Sequence, residues 1–423
     1  MRLPGPSDVA AALLAAAFFV FACADRAPAP VRPRLVLRYA PLWGPPQPFR
    51  DLLARFERAN PGIELVAEPI PNQSDLAHEI LVTALEGGAS DLDVLVIDVI
   101  WVAEFARAGW IADLSAGFAP AHLRQEMVAG AADAVVVGGR TYAVPWYVDV
   151  GILYYRTDLV PRAPRTYDEL RRFAAAAMER APGLAGVLWQ GRQYEGLDCN
   201  VFEAIWGHGG ETLERGRLSL DTPAGRAGLA HLRGLVASGL SPPSVTAAAE
   251  EDSRRRFQQG DAVFMRNWPY ALAELEAPSS PVRGRVGIAP LPTQDGSPGP
   301  GALGGWQLAV SSRTPPARRA AAERLVAHLS SPEAGLVLAL HYARNPARRA
   351  LYDDPRLRAG APRIAALLPM VERARPRPVT PYYQLVTDAL QGEFSAAVTG
   401  QRSPEEALRR AQRQVDRISG ARP

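Results

Sequence analysis

Leu35-Val-Leu-Arg-Tyr-Ala40, Ile63-Glu-Leu-Val-Ala-Glu-Pro69 and Leu92-Asp-Val-Leu-Val-Ile-Asp98 are three short strand-forming runs, and what lies between them decides the fold. After the first run, Phe49, Leu52, Leu53 and Phe56 recur at i, i+3, i+4 and i+7, one apolar face of a helix. Asn60-Pro61-Gly62 stops that helix. After the second run Ser74 reads as an N-cap, and Leu76, Ile80, Leu81, Ala84 and Leu85 form the next helical stripe, closed by Gly87-Gly88. The third run is apolar enough to be buried on both faces. The order strand-helix-strand-helix-strand predicts an α/β fold with a mainly parallel sheet covered by helices. Ligands of such sheets bind beyond the carboxyl ends of the strands, where Asp98 stands.

Farther along, Tyr142-Ala-Val-Pro-Trp-Tyr-Val-Asp149 and Gly151-Ile-Leu-Tyr-Tyr-Arg156 read as two extended runs joined by a crossover. The region from Tyr167 to Leu275 reads as mostly helical, broken at Pro182-Gly183, Gly209-Gly210 and Pro242-Pro243. Arg254-Arg-Arg256 within it reads as a solvated helix face. A short apolar run over Val286 to Pro290, a strand-like Gly304 to Val310, an amphipathic helix from Arg318 to Leu329 and two helices between Pro381 and Ile418 complete the chain.

With 423 residues, 48% hydrophobic and 22% charged, the chain has ordinary globular composition and room for two or three domains. That excludes a disordered, collagen-like or multi-span membrane protein. A net charge of +3 gives little grip on nucleic acid, and no nucleic-acid partner is expected. All 47 basic residues are Arg, which removes a Schiff-base or Walker A lysine. His-Glu-x-x-His, Cys-x-x-Cys and Gly-x-Ser-x-Gly are absent, and the six His have no metal-ligand spacing. Gly299-Pro-Gly-Ala-Leu-Gly304 matches a dinucleotide fingerprint by letters only, because it leads into a strand. No metal, cofactor or catalytic residue is expected.

The N-terminus reads as a targeting segment. Val9 to Ala22 is an apolar run of about 14 residues, below the ~20 that span a bilayer, and suits the h-region of a secretory signal over residues 1–22. Val20-Phe-Ala-Cys23 resembles a bacterial lipobox, with Cys23 as the lipidated residue. The Pro-rich stretch 23–33 would then tether a globular domain to a membrane of the cell envelope. Cys199 would be the single cysteine of the folded part, and a lone Cys is most often a small buried hydrophobe.

What remains is aromatic and carboxylate chemistry. Several of the eight Trp adjoin Gly or Pro where side chains can line a cleft: Trp43, Trp146, Trp268 and Trp306. Sugars offer an apolar face of C–H groups and a rim of hydroxyls. Flat aromatic faces cover the first, and carboxylates or Arg take the second through charge-assisted hydrogen bonds.

Phe56-Glu-Arg-Ala-Asn-Pro-Gly-Ile63, Asp98-Val-Ile-Trp101 with Phe105 and Gly109-Trp110, and Gly151 to Arg156 are similar to phrases of the extracellular solute-binding proteins of bacterial ABC sugar importers. Trp189-Gln-Gly-Arg-Gln-Tyr-Glu-Gly-Leu197, Phe257-Gln-Gln-Gly260, Arg266-Asn-Trp-Pro-Tyr270, Leu303-Gly-Gly-Trp306 and Arg377-Pro-Val-Thr-Pro-Tyr-Tyr383 most resemble the trehalose/maltose-binding subgroup. The resemblance implies a two-lobed periplasmic-binding-protein fold of type II, with an N-terminal lobe over 34–148 and 305–346 and a C-terminal lobe over 149–304 and 347–423. It implies an α-glucoside disaccharide held between the lobes and passed by a monomer to ABC permease transmembrane subunits served by a separate ATPase. It also implies site residues: Asp98 gripping hydroxyls, Tyr147 and Asp149 in the cleft, Trp268 and Trp306 as stacking platforms, the Gly305 backbone beside the sugar, and Arg377 as a donor. Gln47 and His78 stand where relatives carry Glu and Arg, and are expected to tune the choice of disaccharide. Two alternatives stay open at this stage: a binding protein for a non-sugar such as a polyamine, against which Arg377 argues, and a glycoside hydrolase using Asp98 and Asp149 as its carboxylate pair.

Overall fold

The computed structural model describes residues 32–420 apart from 72, 90, 215 and 216, so the signal segment, Cys23 and most of the tether lie outside the described residues. Two larger sheets organise the chain. Their strands, in chain order, are β1 (Arg34–Tyr39), β2 (Glu64–Pro69), β3 (Val94–Asp98), β4 (Val144–Val150), β5 (Ile152–Arg156), β6 (Ala185–Leu188), β7 (Ala262–Asn267), β8 (Val286–Ala289), β9 (Leu303–Val310) and β10 (Asn345–Pro346). The first sheet runs β10-β4-β9-β3-β1-β2 and the second β8-β5-β7-β6.

The first three strands are parallel, as their alternation with helices predicts. The sheet as a whole is mixed, because β9 returns from the second lobe and inserts antiparallel between β3 and β4. The helix Gln47–Ala59 buries Phe49, Leu52 and Phe56, the expected stripe, and Asn60 closes it by donating its side-chain amide to the Phe56 carbonyl. Ser74 is not the cap of the helix Ser74–Glu86. It lies one residue inside, and its hydroxyl is turned instead to Asp98 at 3.1 Å.

Among the described residues the stretch from Tyr167 to Leu275 holds four strands that the helical reading misses: β6, β7 and a short antiparallel pair, Leu213–Glu214 with Arg217–Leu218. Ala185-Gly-Val-Leu188 and Ala262-Val-Phe-Met265 are short runs without alternation, and periodicity cannot distinguish such a run from a buried helix segment. Both are buried because helices or loops cover each side of the second sheet, with Leu153, Val187 and Phe264 in one core and Tyr154, Leu188 and Met265 in the other. Arg254 also departs from expectation. It is buried, holding Glu251 through bonds of 2.8–3.0 Å and Gln258 at 2.6 Å, while Arg255 is the solvated neighbour.

Helices Glu195–Gly207, Pro223–Ala237, Tyr383–Val398 and Pro404–Ile418 pack together as the body of the second lobe. The segment Arg349–Arg373, assigned on sequence to that lobe, puts Leu351, Tyr352, Leu357, Ile364, Leu367 and Val371 into the core shared with the first sheet. That core also holds Tyr154, Leu188 and Met265 of the second sheet, but the segment touches β10 and β4 of the first, and we propose that the chain passes to the second-lobe helices after Arg373 rather than at 347.

Three crossings run side by side between the lobes. One is the single residue Gly151 between β4 and β5, the second is Gly301 to Leu303, and the third lies at Arg375. They are tied by Gly151 N–H to Ala302 O (3.2 Å), Leu303 N–H to Arg375 O (2.7 Å) and Arg375 N–H to Gly301 O (2.9 Å). A Cβ on Gly301 would stand 2.1 Å from the Gly151 carbonyl oxygen, so only glycine permits this approach. The buried Glu203 carboxylate accepts the Ala302 amide at 2.9 Å and pairs with Arg266 at 2.5 Å, pinning the middle crossing to the second lobe.

Candidate functional site

Where the sheet edges of the two lobes face each other lies a cavity of about 300 Å³, at the lower end of small-molecule sites. From the first lobe it receives the ends of three adjacent strands. β3 ends in Asp98, whose carboxylate accepts the Ile100 amide (3.3 Å) and the Ser74 hydroxyl (3.1 Å). The β9 register sets Trp306 between Asp98 and Tyr147, and Gly304 opposite Asp149. A register irregularity after Trp306 and a φ of +126° at Gly305 turn the strand here, and a Cβ on Gly305 would meet the Tyr147 carbonyl at 2.4 Å. Glycine thus brings the backbone to the cavity wall and leaves Trp306 half-buried, its ring edge-on to the fully buried Trp101 at 5.6 Å.

The second lobe supplies the opposite wall. Trp268 follows β7, with the Arg266 guanidinium 4.1 Å from its ring centre and its indole N–H on Glu250 at 3.2 Å. Glu250 also accepts the Tyr194 hydroxyl at 2.7 Å, and Glu251 that of Tyr270 at 2.8 Å. From the first lobe, just before β10, Arg344 reaches over the rings of Tyr147 and Tyr270 and lies 3.5 Å from Asp149. Arg377 bridges the lobes: it donates to Glu195 (2.7 Å), Asp98 (3.4 Å) and the Leu303 carbonyl (3.3 Å).

Four buried polar atoms on these lining residues have no hydrogen-bond partner: Tyr147 OH, Asp149 Oδ1, Arg344 Nε and Arg377 Nε. A buried polar group left unpaired costs about 1–3 kcal/mol, so a hydroxyl-bearing guest gains by satisfying them. Burial first, and the Asp98 charge beside it, push the Asp149 carboxyl up to about 6 against the pull of Arg344. Burial pushes the Cys199 thiol well up, so this cavity-lining cysteine stays a protonated, apolar wall group.

Of the nine residues singled out on sequence, seven line the cavity: Asp98, Tyr147, Asp149, Trp268, Gly305, Trp306 and Arg377. Gln47 and His78 do not. Gln47 is exposed and turned along its own helix to Asp51 at 2.8 Å. His78 is buried behind the wall, 2.9 Å from Glu104 and packed on Trp101 at 5.4 Å between ring centres. Trp43 lines the cavity, whereas Trp146 is buried in the core. Arg344, Glu250, Glu251 and Tyr270 are wall residues that sequence reasoning did not assign. Glu250 and Glu251 read as ordinary first-turn acids of a helix, and Arg344 follows Ala343, whose φ of 50° ends a helix without the usual glycine signal. Among the described residues no group of three His, Cys, Asp or Glu is placed to hold a metal ion, and no helix is long and apolar enough to cross a membrane.

Comparison with known proteins agrees with this architecture. The family model for bacterial extracellular solute-binding proteins matches residues 40–336. A probable ABC transporter-binding protein of Deinococcus radiodurans is 33% identical over 83% of this chain and 86% of its own length. A maltotriose-binding protein of Pyrococcus abyssi is 24% identical over 82% of this chain and 73% of its own. Among solved structures, maltose-bound MalE3 of T. maritima superposes with a TM-score of 0.85 at 37% identity, over 91% of this chain and 99% of that one. The GacH receptor of Streptomyces glaucescens, at 21% identity and a TM-score of 0.81, shares the fold. With the two-lobed α/β architecture, the interlobe cavity and these matches together, the chain belongs to the bacterial extracellular solute-binding proteins.

Proposed function

We propose that the protein captures an α-glucoside disaccharide of the maltose or trehalose type in the interlobe cavity and delivers it to an ABC permease, without chemistry of its own. The observation that carries this reading is the wall itself. Trp268, Trp306 and Trp43 offer flat apolar faces, and between them stand Asp98, Asp149, Glu250, Arg344 and Arg377, several with unsatisfied buried atoms. An apolar face edged with charged hydrogen-bonding groups matches the two chemistries of a sugar ring. The 37% identity to a protein solved with maltose supports the same ligand class. In this reading Asp98, Asp149 and Arg377 take hydroxyls, Trp268 and Trp306 stack, and Tyr147 and the Gly305 backbone complete the wall.

A thermal-shift panel tests it. A ligand that binds only the folded state stabilises it by RT ln(1 + [L]/Kd), about 2.7 kcal/mol at a hundredfold excess over Kd. Maltose or trehalose should raise the melting temperature, and spermidine should not. A shift with spermidine alone would reject the sugar. Export and anchoring belong to the same proposal. Cys23, in Val20-Phe-Ala-Cys23, would carry the lipid, and Cys23→Ala should move the protein from the membrane to the soluble fraction.

A further inference from the structure

Asp149 and Arg344, both on the cavity wall, form an ion pair unlike the others buried near the cleft. Arg266 and Glu203 share hydrogen bonds of 2.5 and 2.8 Å, and Arg377 meets Glu195 at 2.7 Å. Arg344 Nη1 instead stands 3.5 Å from Asp149 Oδ2, an ion-pair distance without a hydrogen bond. Among the described residues neither of these two buried side chains makes any hydrogen bond to the protein, and Asp149 Oδ1 and Arg344 Nε are buried without a partner. Taking two charges out of water is offset only where their remaining lone pairs and N–H groups are satisfied. Here the donors of a guanidinium and the acceptors of a carboxylate stand side by side, and the protein itself uses none of them.

Packing and backbone hold the guanidinium in this place. It lies 4.7 Å from the ring centre of Tyr147 in the first lobe and 5.3 Å from that of Tyr270 in the second. Contact through ring faces leaves the N–H groups at the guanidinium edge able to donate. Tyr147 is fully buried in β4, and the Tyr270 hydroxyl is fixed on Glu251 at 2.8 Å. The backbone is set at a cost. Ala343 ends the helix Pro332–Tyr342 at φ +50°, and among the described residues it is the one non-glycine with a positive φ. Strain of this kind persists where the surrounding structure fixes it, and it gathers at ligand sites. The neighbours that fix it are plain: the Arg344 amide donates to the Leu338 carbonyl at 3.3 Å, and Asn345 pairs with Val148 of β4. Arg377, the donor expected on sequence, is more committed, because its two terminal nitrogens serve Glu195, Asp98 and the Leu303 carbonyl.

We propose that Arg344 is a ligand-contacting, specificity-determining residue: together with Asp149 it reads one sugar hydroxyl in both of its roles, the guanidinium donating to the hydroxyl oxygen and the carboxylate accepting the hydroxyl hydrogen. This rests on the sugar-binding reading above and names the pair that selects within that ligand class. A hydroxyl satisfies both members at once. An ether oxygen offers no hydrogen to Asp149, and an ammonium offers no lone pair to Arg344. A guest lacking that hydroxyl leaves both charges buried and unpaired, so the site discriminates steeply at one position of the sugar.

The test is calorimetric titration of the full mature chain, wild type and Arg344→Met, with maltose, trehalose and a set of analogues each lacking one hydroxyl. For the analogue without the hydroxyl that the pair reads, the wild-type Kd should weaken roughly 10- to 150-fold. Arg344→Met should weaken binding of the parent sugar by a similar factor. Variant and analogue combined should lose far less than the product of the two losses, because both remove the same contact. Every other analogue should lose the same factor on both proteins. A parent Kd within about twofold of wild type in Arg344→Met, or losses that multiply for every analogue, would overturn the proposal. Arg344→Lys keeps a cation beside Asp149 but loses the planar fork, and it takes the place of Arg344→Met, under the same two criteria, should that variant fail to fold. A wild type that binds neither disaccharide would sink the sugar reading. Glucose and mannitol then serve as probes: binding by wild type that either variant weakens by about tenfold or more supports the hydroxyl-reading pair, and no binding or no weakening rejects it.

Discussion

Trp306→Ala separates a sugar platform from a core residue. Trp306 is half-buried, lies edge-on to Trp101 at 5.6 Å and presents its remaining surface to the cavity. Truncating a fully buried Trp costs about 3–5 kcal/mol of stability. A half-buried Trp with one aromatic neighbour should cost about 1–2 kcal/mol by the same measure. Binding loses more, because the sugar loses a stacking face and the apolar burial that goes with it, together roughly 1–3 kcal/mol. That is a Kd weakened about 5- to 150-fold. Calorimetry with maltose and trehalose gives the second number, and urea unfolding of the unliganded variant gives the first. An unchanged Kd together with a stability loss above about 3 kcal/mol would refute the platform role and make Trp306 part of the core.

Gly305→Ala should destabilise the protein by roughly 1–3 kcal/mol and weaken binding, because the new Cβ would lie 2.4 Å from the Tyr147 carbonyl on a backbone at φ +126°; urea unfolding and titration check both. Arg266→Met should cost about 3–5 kcal/mol by stranding Glu203, its buried partner at 2.5 Å. The double variant Arg266→Met with Glu203→Leu should recover only part of that, since the Ala302 amide loses its acceptor. Asp149 titrates at about 6 in the fold and near 3.9 unfolded, so the folded protein holds the extra proton between those values. Wild-type stability measured relative to Asp149→Asn should therefore fall as pH rises from about 4 to about 6, and a difference that is flat or rises over that window would contradict the assignment.

The first lobe was legible because β1, β2 and β3 are separated by helices with clean apolar stripes, such as Phe49, Leu52 and Phe56. The second was not, because β6 and β7 are covered on both sides and carry no alternation to read. Strand polarity was half legible: local order sets β1 to β3, whereas the antiparallel insertion of β9 depends on a return from the other lobe that no local pattern records. Asp98 could be placed at the site from topology alone, by its position at a strand's carboxyl end. Trp43, Trp268 and Trp306 stood out by their Gly or Pro neighbours, the remaining expected cavity residues came from resemblance in motif, and resemblance also carried Gln47 and His78 toward the site. Each is held away by a local partner, Asp51 in one case and Glu104 in the other, that replaces any reach into the cavity. Arg344 and Glu250 escaped notice because their partners are distant in sequence: Arg344 meets Tyr147 and Asp149 within the first lobe, and Glu250 meets Tyr194 and Trp268 within the second.

The central claim is that a disaccharide sits between the lobes on this aromatic and carboxylate wall. A crystal structure of the mature chain grown with saturating maltose or trehalose measures it most directly. A sugar ring should lie flat on Trp306 or Trp268, with hydroxyls on Asp98, Asp149 and Arg377. A sugar bound elsewhere on the molecule, or an empty cleft together with a titration that shows no heat for either sugar, would contradict it.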